Sequence, residues 1–241
     1  MRNALILIVC ILWPGAAISQ TGPSVALRIY TEEYAPWNFT DDDGAVTGLN
    51  TELIQLLLNK RGFKGRFEVV PWGRAQLFTQ TQADSCFFSA VRTPEREALY
   101  QWVGPLSQEY VQLFSTNPAQ PEFKHFSDAV KLRIGGQTAD AFTDYGISQG
   151  LKIQRIAEIP VNLSMLQLGR IDLWLAGSVG GPYIAAQKGM RVYPVATSAE
   201  VFELWLACSL DLSDKVVAQL NSALQLSKQD GTLDAILQRY R

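Results

Sequence analysis

Hydrophobic and polar residues alternate with two different periods along the chain. The stretch 26–31, ALRIYT, alternates in polarity, which predicts a strand. The stretch 50–63, NTELIQLLLNKRGF, repeats apolar residues at helical spacing, which predicts a helix. Asn50 or Thr51 would cap the start of this helix, and Gly62 would end it.

The same alternation continues to the C-terminus and repeats after residue 123. Further strands are predicted at 66–70, 85–90, 109–116, 132–137, 152–158, 170–177, 191–196 and 203–210. Further helices are predicted at 73–82, from Thr93, and at 139–150, 162–169, 181–189, 213–231 and 232–240. This order predicts an α/β fold with a mainly parallel sheet, divided into two lobes near 115–123. Ligands of such sheets bind at the carboxyl ends of the strands.

The first residues predict an export signal. MRN is positively charged, and ALILIVCILW is an apolar run too short to cross a bilayer comfortably. Ala17 and Ser19 suit cleavage before Gln20. Residues 1–19 are therefore predicted to be a cleavable signal peptide that sends the chain to the periplasm, with an uncleaved anchor helix as the alternative.

Composition excludes several functions. The chain has 241 residues, 47% of them hydrophobic, and a formal net charge of -2, without a basic run that would predict a nucleic-acid partner. Export leaves Cys86 and Cys208, which either form a disulfide or remain buried thiols. With His125 as the one histidine, no zinc site is predicted, and no other metal or cofactor is expected.

Two arginines, Arg92 and Arg96, flank the start of the helix predicted from Thr93. The first backbone N–H groups of a helix are unpaired, and an arginine fork matches a carboxylate. The segment therefore predicts an anion site at the end of a strand. In the alternative interpretation, Glu95 and Glu97 neutralise both arginines on a solvated surface.

Aromatic residues follow two of the predicted strands. Tyr34 and Trp72 are candidates for the walls of a small-molecule pocket, whereas Phe39 is expected in the core. No nucleophile has a partner base, and the glycine-rich stretch 177–182 lacks a phosphate-binding pattern. The acidic stretch 41–43 predicts a hairpin turn, so nothing here predicts catalysis.

Four segments resemble the family 3 extracellular solute-binding proteins, the polar amino-acid binders of bacterial ABC importers. They are LRIYTEEYAPWNFTDDDGAVTGLNTELI, SCFFSAVRTPEREALYQWVGPLSQEYVQLF, LQLGRIDLWLAGSVGGPY and LSKQDGTLDAIL, and they occur in family order. The resemblance implies two α/β lobes, each a mainly parallel sheet flanked by helices, which close on a ligand. Two hinge strands would join lobe one, residues 20–113 plus 207–241, to lobe two, residues 114–206.

The resemblance also assigns roles to individual residues. Arg96 falls on the carboxylate-binding arginine of the family, Tyr34 on its stacking aromatic, and Trp72 on a second wall. Ser89 falls on a position that touches the ligand. The family topology would place the return strand beside the third strand of lobe one, and therefore Cys208 near Cys86, with both cysteine states still open.

The chain departs from the family at four places that contact the ligand, and at two of them, Thr31 and Gly177, it lacks the acidic residue that would recognise a cationic group. The usual residues are replaced by Thr31 in the first loop, Val91 before the helix, Ala139-Asp140 at the start of lobe two's first helix, and Gly177 after DLWLA. Either Asp140 or Glu32 therefore substitutes as the partner of the cation, or the ligand is not a standard amino acid.

These observations lead to the hypothesis of a periplasmic, non-catalytic binding protein for a small carboxylate-bearing molecule. Lobe two would close over the ligand through Thr138, Asp140 and the 177–181 turn, and the closed monomer would dock on an ABC permease. One alternative is a cyclohexadienyl-dehydratase-like enzyme that uses Glu32 or Asp140 as its acid or base. Another is a periplasmic ligand sensor.

Overall fold

The computed structural model describes residues 25–240, an α/β chain in which strands and helices alternate. The strands of this part of the chain are Ala26–Thr31 (β1), Phe39–Thr40 (β2), Val46–Thr47 (β3), Lys64–Val69 (β4), Ser85–Val91 (β5), Gln101–Ser115 (β6), Ile134–Gln137 (β7), Ile153–Ile156 (β8), Leu173–Gly177 (β9) and Tyr193–Cys208 (β10). Its α-helices are Leu49–Arg61 (α1), Trp72–Thr81 (α2), Pro94–Glu97 (α3), Ala141–Ser148 (α4), Ile159–Gln167 (α5), Gly180–Gln187 (α6), Asp214–Gln229 (α7) and Thr232–Leu237 (α8).

One eight-stranded sheet runs through both lobes in the order β4-β1-β5-β10-β6-β9-β7-β8. At one end, β1 is parallel to β4 and β5, and at the other end β7 is parallel to β8 and β9. The long strands β6 and β10 join the two ends and run antiparallel to each other and to their outer neighbours. The predicted two-lobed α/β class, with two connecting strands, is confirmed.

The two connecting strands are longer than the sequence pattern predicts. The predicted strands 191–196 and 203–210 are a single strand, β10, because the polar stretch between them continues the chain across a register shift between Thr197 and Val201. The strand β6 begins at Gln101, before the predicted start at 109, because its pairing with β10 passes through Gly104 and Pro105 with a second shift. Both errors come from interpreting irregular strand pairing as a break.

Helix α1 illustrates a partly correct prediction. It ends at Gly62 in the left-handed conformation, with φ 68°, as the sequence predicts. Its N-cap is Gly48 and not Asn50 or Thr51, because both side chains are buried and engaged elsewhere. Asn50 donates to the Ser89 hydroxyl, and the Thr51 hydroxyl donates to the Thr47 carbonyl. The acidic stretch 41–43 turns between β2 and β3, as predicted.

Each lobe has its own apolar packing. In lobe one, α1 and α7 bury residues such as Leu53 and Leu224 against β1 and β5. In lobe two, α5 and α6 pack around Phe114 and Trp174. Each such fully buried side chain contributes about 1.5–3 kcal/mol of hydrophobic stabilisation. The cleft between the lobes therefore has a packed body on each side.

Cys86 and Cys208 are cross-strand neighbours in the pairing of β5 with β10 and form a disulfide. The alternative of two free buried thiols is therefore wrong. The bond joins residues that are 122 positions apart and links the end of the return strand to the sheet of lobe one.

Some expectations lie beyond what the structure tests. The predicted signal peptide, residues 1–19, lies outside the described residues. Within residues 25–240, the structure contains no helix with the length and apolar character needed to span a membrane. The division of the chain at 113/114 and 206/207 stays a prediction, although Val111–Phe114 pair with β9 and Leu204–Cys208 approach β5.

Candidate ligand-binding site

A cavity of about 30 Å³ lies between the two lobes. One wall follows the ends of β1 and β5 and the start of α2, and the other follows the ends of β7 and β9. Both walls are thus at the carboxyl ends of parallel strands, where the sequence predicts ligand binding. Six of the nine predicted site residues line it: Tyr34, Trp72, Ser89, Val91, Asp140 and Gly177.

Arg96 bridges the cleft through its guanidinium group. Its Nη1 donates to the Val91 carbonyl at 3.0 Å, and its Nη2 donates to the Ala139 carbonyl of lobe two at 2.8 Å. The side chain is buried, and its charge opposes the rise that burial causes in the pKa of Asp140, which lines the cavity. Two of its five N–H donors are therefore engaged by the protein itself, and a ligand carboxylate would share or replace these carbonyls.

The Ala139 carbonyl of lobe two accepts several hydrogen bonds from lobe one. Besides Arg96, it accepts hydrogen bonds from the Trp72 indole at 3.0 Å and from the Gln76 amide at 3.2 Å. Ala139 has φ 59°, a left-handed conformation that is uncommon for residues other than glycine. This backbone contact closes the cavity on the α2 side, and side-chain patterns give no signal for it.

Glu109 is a site residue that the sequence analysis missed. Its carboxyl group accepts the Tyr34 hydroxyl at 2.6 Å and the Trp37 indole at 3.0 Å, so it fixes the aromatic wall from behind. Glu109 lies on the same face of β6 as Val111 and Leu113, and all three are buried. A charged residue in the inward register of an alternating strand was the available signal.

Two carboxyl groups, one from each lobe, line the cavity. Burial raises the pKa of Glu32 to about 8, against the hydrogen bond that the Gln137 amide donates at 2.5 Å. Burial also raises the pKa of Asp140, the N-cap of α4, to about 6, and the Arg96 charge opposes that rise. A cationic group in the cavity would stabilise both carboxylates.

Ser89 and Val91 line the cavity but are already engaged by other groups of the protein. Ser89 has φ 59°, and its hydroxyl accepts from the Asn50 amide and donates to Asn38 within lobe one. Val91 replaces the expected hydroxyl donor, and its carbonyl is held by Arg96. The side chains at these two positions therefore shape the cavity without offering a free donor.

Three predicted site residues, Arg92, Arg96 and Thr138, are not among the residues that line the cavity. The Arg92 guanidinium makes two hydrogen bonds of 2.6 Å to Glu97 and lies 5.7 Å and 5.0 Å from the ring centroids of Trp102 and Trp205. Thr138 donates its backbone N–H to the carbonyl of Ile156 in β8. The solvated-surface interpretation thus describes Arg92, whereas Arg96 is buried in the cleft.

Two lobes, two connecting strands and a cavity between them define the class of periplasmic binding proteins. Residues 27–241 match the family model of bacterial extracellular solute-binding proteins, family 3. The chain belongs to this family, and the solute-binding function that the sequence predicts is confirmed at this level.

Several curated relatives are similar over most of the chain. The L-cystine-binding protein TcyJ of Escherichia coli strain K12 is 22% identical over 214 residues, which cover 86% of this chain and 79% of the relative. The L-cystine-binding protein TcyA of Bacillus subtilis strain 168 is 23% identical over 235 residues, covering 95% and 84%. A probable histidine-binding protein of Neisseria gonorrhoeae is 22% identical over 233 residues, covering 93% and 86%.

Solved structures share the fold. A histidine kinase sensor domain with similarity to periplasmic binding proteins has a TM-score of 0.83 and 17% identity, covering 90% of this chain and 96% of that one. An ancestral arginine-binding protein bound to arginine has a TM-score of 0.80 and 19% identity, covering 89% and 97%. The ancestral amino acid-binding protein AncCDT-1, a precursor of cyclohexadienyl dehydratase, has a TM-score of 0.77 and 21% identity, covering 89% and 94%.

Proposed function

We propose that the protein binds a small solute carrying both a carboxylate and a cationic group, an amino acid or a related compound, and delivers it to an ABC importer without chemical change. One observation carries this proposal: the buried cation Arg96 lies beside a cavity between the lobes that is lined by aromatic residues and by two half-buried carboxyl groups, Glu32 and Asp140. Arg96 would hold the carboxylate of the solute, while Glu32 and Asp140 would receive its cation.

The charge balance of the cleft supports a cationic group on the solute. Glu32 and Asp140 face one arginine, and an ionised carboxylate without a partner costs several kcal/mol to bury. Gly177 stands where the family places the aspartate that pairs with an ammonium group. The two carboxyl groups offer a substitute for that missing partner.

The aromatic walls and the relatives support a compact organic solute. Tyr34 and Trp72 bound the cavity from lobe one, and aromatic faces attract both apolar carbon and cations. The relatives named above are described as binding cystine or histidine, and one similar structure holds arginine. All three solutes carry a carboxylate and at least one ammonium group.

The proposal includes the cellular context. The signal peptide at residues 1–19 would export the chain to the periplasm, where it would act as a monomer. The lobes, residues 20–113 plus 207–241 and residues 114–206, would close on the solute, and the closed form would dock on a membrane permease. No nucleic-acid partner and no catalytic activity are part of the proposal.

A thermal-shift panel tests the two-charge requirement. L-cystine, L-histidine and L-arginine carry both charges, whereas agmatine lacks the carboxylate and succinate lacks the cation. A solute present at about 100 times its Kd stabilises the folded protein by about 2.7 kcal/mol, so a true ligand raises the unfolding temperature. Equal stabilisation by agmatine or succinate would reject the two-charge requirement, and an unresponsive protein would reject the amino-acid class.

The enzyme alternative rests on the two carboxyl groups of the cavity. Their pKa values, about 8 for Glu32 and about 6 for Asp140, differ as those of an acid–base pair do. Prephenate turnover that disappears in Glu32→Gln would favour a cyclohexadienyl-dehydratase-like enzyme over a binding protein. Copurification with a membrane kinase instead of a permease would favour the sensor alternative.

A further inference from the structure

Glu109 occupies a buried position on the connecting strand β6 and is surrounded by donors. One carboxyl oxygen accepts the Tyr34 hydroxyl and the Trp37 indole. The other accepts the backbone N–H of Val179 at 3.1 Å and that of Gly180 at 3.3 Å. All four partners donate, so the group is bound as an acceptor on both oxygens.

The two oxygens of Glu109 divide these donors between the lobes. On the lobe-one side, the segment after β1 is fixed to α1, because the Trp37 carbonyl accepts the Asn50 N–H at 2.8 Å. On the lobe-two side, the turn before α6 is fixed to β6, because Ser178 and Tyr110 exchange two hydrogen bonds. Glu109 lies on the connecting strand β6, just before the predicted boundary at 113/114, so it cannot keep both pairs of donors if the lobes separate.

Two glycines make room for this contact. A Cβ atom at Gly177 would lie 2.2 Å from a Glu109 oxygen and 2.2 Å from the Tyr34 hydroxyl. A Cβ atom at Gly180 would lie 2.6 Å from the Tyr34 ring. The glycine-rich stretch 177–181, which the sequence analysis expected to close over the ligand, therefore also forms the surface on which Tyr34 and Glu109 meet.

We propose that Glu109 is an interlobe latch, a positioning residue that fixes Tyr34 across the cleft and favours the closed arrangement before a solute binds. Tyr34 lines the cavity, whereas Glu109 is not among its lining residues. The latch therefore acts on affinity by raising the fraction of molecules in the closed form. This effect on affinity rests on the proposed function, but the effect on closure does not.

Closure can be measured without any solute by pulsed electron spin resonance between two spin labels. Leu77 on α2 and Leu168 after α5 are 56% and 65% exposed, so cysteines introduced there carry the labels on separate lobes. The test variant is Glu109→Gln, whose amide keeps the size of the side chain but turns N–H donors toward other donors. At about pH 8, we expect the ratio of closed to open molecules to fall about tenfold, the effect of one lost hydrogen bond.

Two further variants make the outcome decisive. Glu203→Gln is the matched control, since Glu203 is exposed on the other connecting strand, β10, and should leave the distances unchanged. Tyr34→Phe removes one donor without altering β6 and should open the protein in part, with little added effect in the double variant.

Two results would reject the latch. One is an unchanged distance distribution in both Glu109→Gln and Tyr34→Phe. The other is tighter closure in Glu109→Gln, which would mean that burying the charge outweighs its hydrogen bonds, since burial raises the pKa of Glu109 to about 7. Because solute-free closure is the readout, these results are distinguishable from failure of the thermal-shift panel.

Discussion

The two walls of the cleft contact each other through different kinds of chemical group. The lobe-one wall presents side chains, chiefly Tyr34, Trp72 and the bridging Arg96. Lobe two answers these side chains partly with backbone, namely the Ala139 carbonyl, the N–H groups of Val179 and Gly180, and the bare Cα of Gly177, while its side chains Asp140, Phe142 and Trp174 line the cavity. The difference shows why the side-chain contacts leave a trace in the sequence, whereas the backbone contacts of lobe two depend on how its chain is folded.

The largest expected effect concerns stability. The disulfide belongs to lobe one alone, so its removal should affect that lobe first. Replacing both Cys86 and Cys208 with alanine should lower the free energy of unfolding by about 4 kcal/mol, since the bond closes a loop of 122 positions. Chemical denaturation measures the loss. Hydrogen exchange should rise first in β1 and β5, and an equal rise in β7 and β8 would mean that the lobes do not differ in this way.

The next effect concerns the two arginines near α3. Arg96→Ala should weaken binding of the solute found in the panel about a hundredfold, because it removes a buried, charge-assisted contact. Arg92→Ala is the matched control and should change the affinity less than about twofold, as an exposed ion pair contributes little. Calorimetry that finds equal losses would remove Arg96 from its proposed role.

A smaller effect tests the surface that Gly177 leaves open in lobe two. Gly177→Ala should weaken binding about tenfold, because overpacking on this scale costs about 1–3 kcal/mol and here opposes closure. Gly73→Ala in α2 is the control, since a Cβ atom there has no neighbour within 4 Å. Unaltered affinity in Gly177→Ala would show that the lobe-two wall adapts to added bulk.

The last effect is the pH dependence of closure, which builds up gradually over several pH units. In the closed form, burial raises the pKa of Glu32 to about 8 and that of Asp140 to about 6, whereas hydration in the open form would return both toward ordinary values. The closed form therefore binds more protons, so the closed population of solute-free protein should fall as pH rises between about 5 and 8, by at most about tenfold per pH unit for each group.

The same spin labels measure this dependence. Glu32→Gln should flatten the upper part of the curve, because the carboxyl group with the largest of the two shifts is gone. A closed population that grows with pH would contradict the assignment of Glu32 to a buried wall. A solute with a cationic group should reverse the trend, since it pairs with the ionised carboxyl groups.

Regular elements were predictable because their periodic patterns reflect one buried face. The helix α1 and the strands β1 and β5 lie where the alternation places them, and Gly62 ends α1 as expected. The connecting strands were shortened or divided because their register shifts interrupt the alternation. The pairing of Cys86 with Cys208 followed from the implied topology, but the bond itself required the geometry of two adjacent strands.

The side chains that line the candidate site were largely predictable in both lobes, but its backbone contacts were not. The positions of Tyr34 and Trp72 could be inferred from aromatic residues that follow strands, and both line the cavity. The role of the Ala139 carbonyl could not be inferred, because every residue carries the same carbonyl group and only the backbone conformation decides where it points. Glu109 was not predicted, because its signal lies in the inward register of a strand and not in a loop that follows one.

The hydrogen bonds to the Ala139 carbonyl have a consequence for selectivity. Three donors of lobe one converge on this single carbonyl, so a solute whose oxygen takes up these donors would replace contacts that the protein makes with itself. A compound whose own oxygen reproduces that convergence recovers what was lost, whereas one of equal size with a misplaced oxygen does not. Discrimination among chemically similar compounds would then follow the placement of one acceptor atom more closely than their bulk.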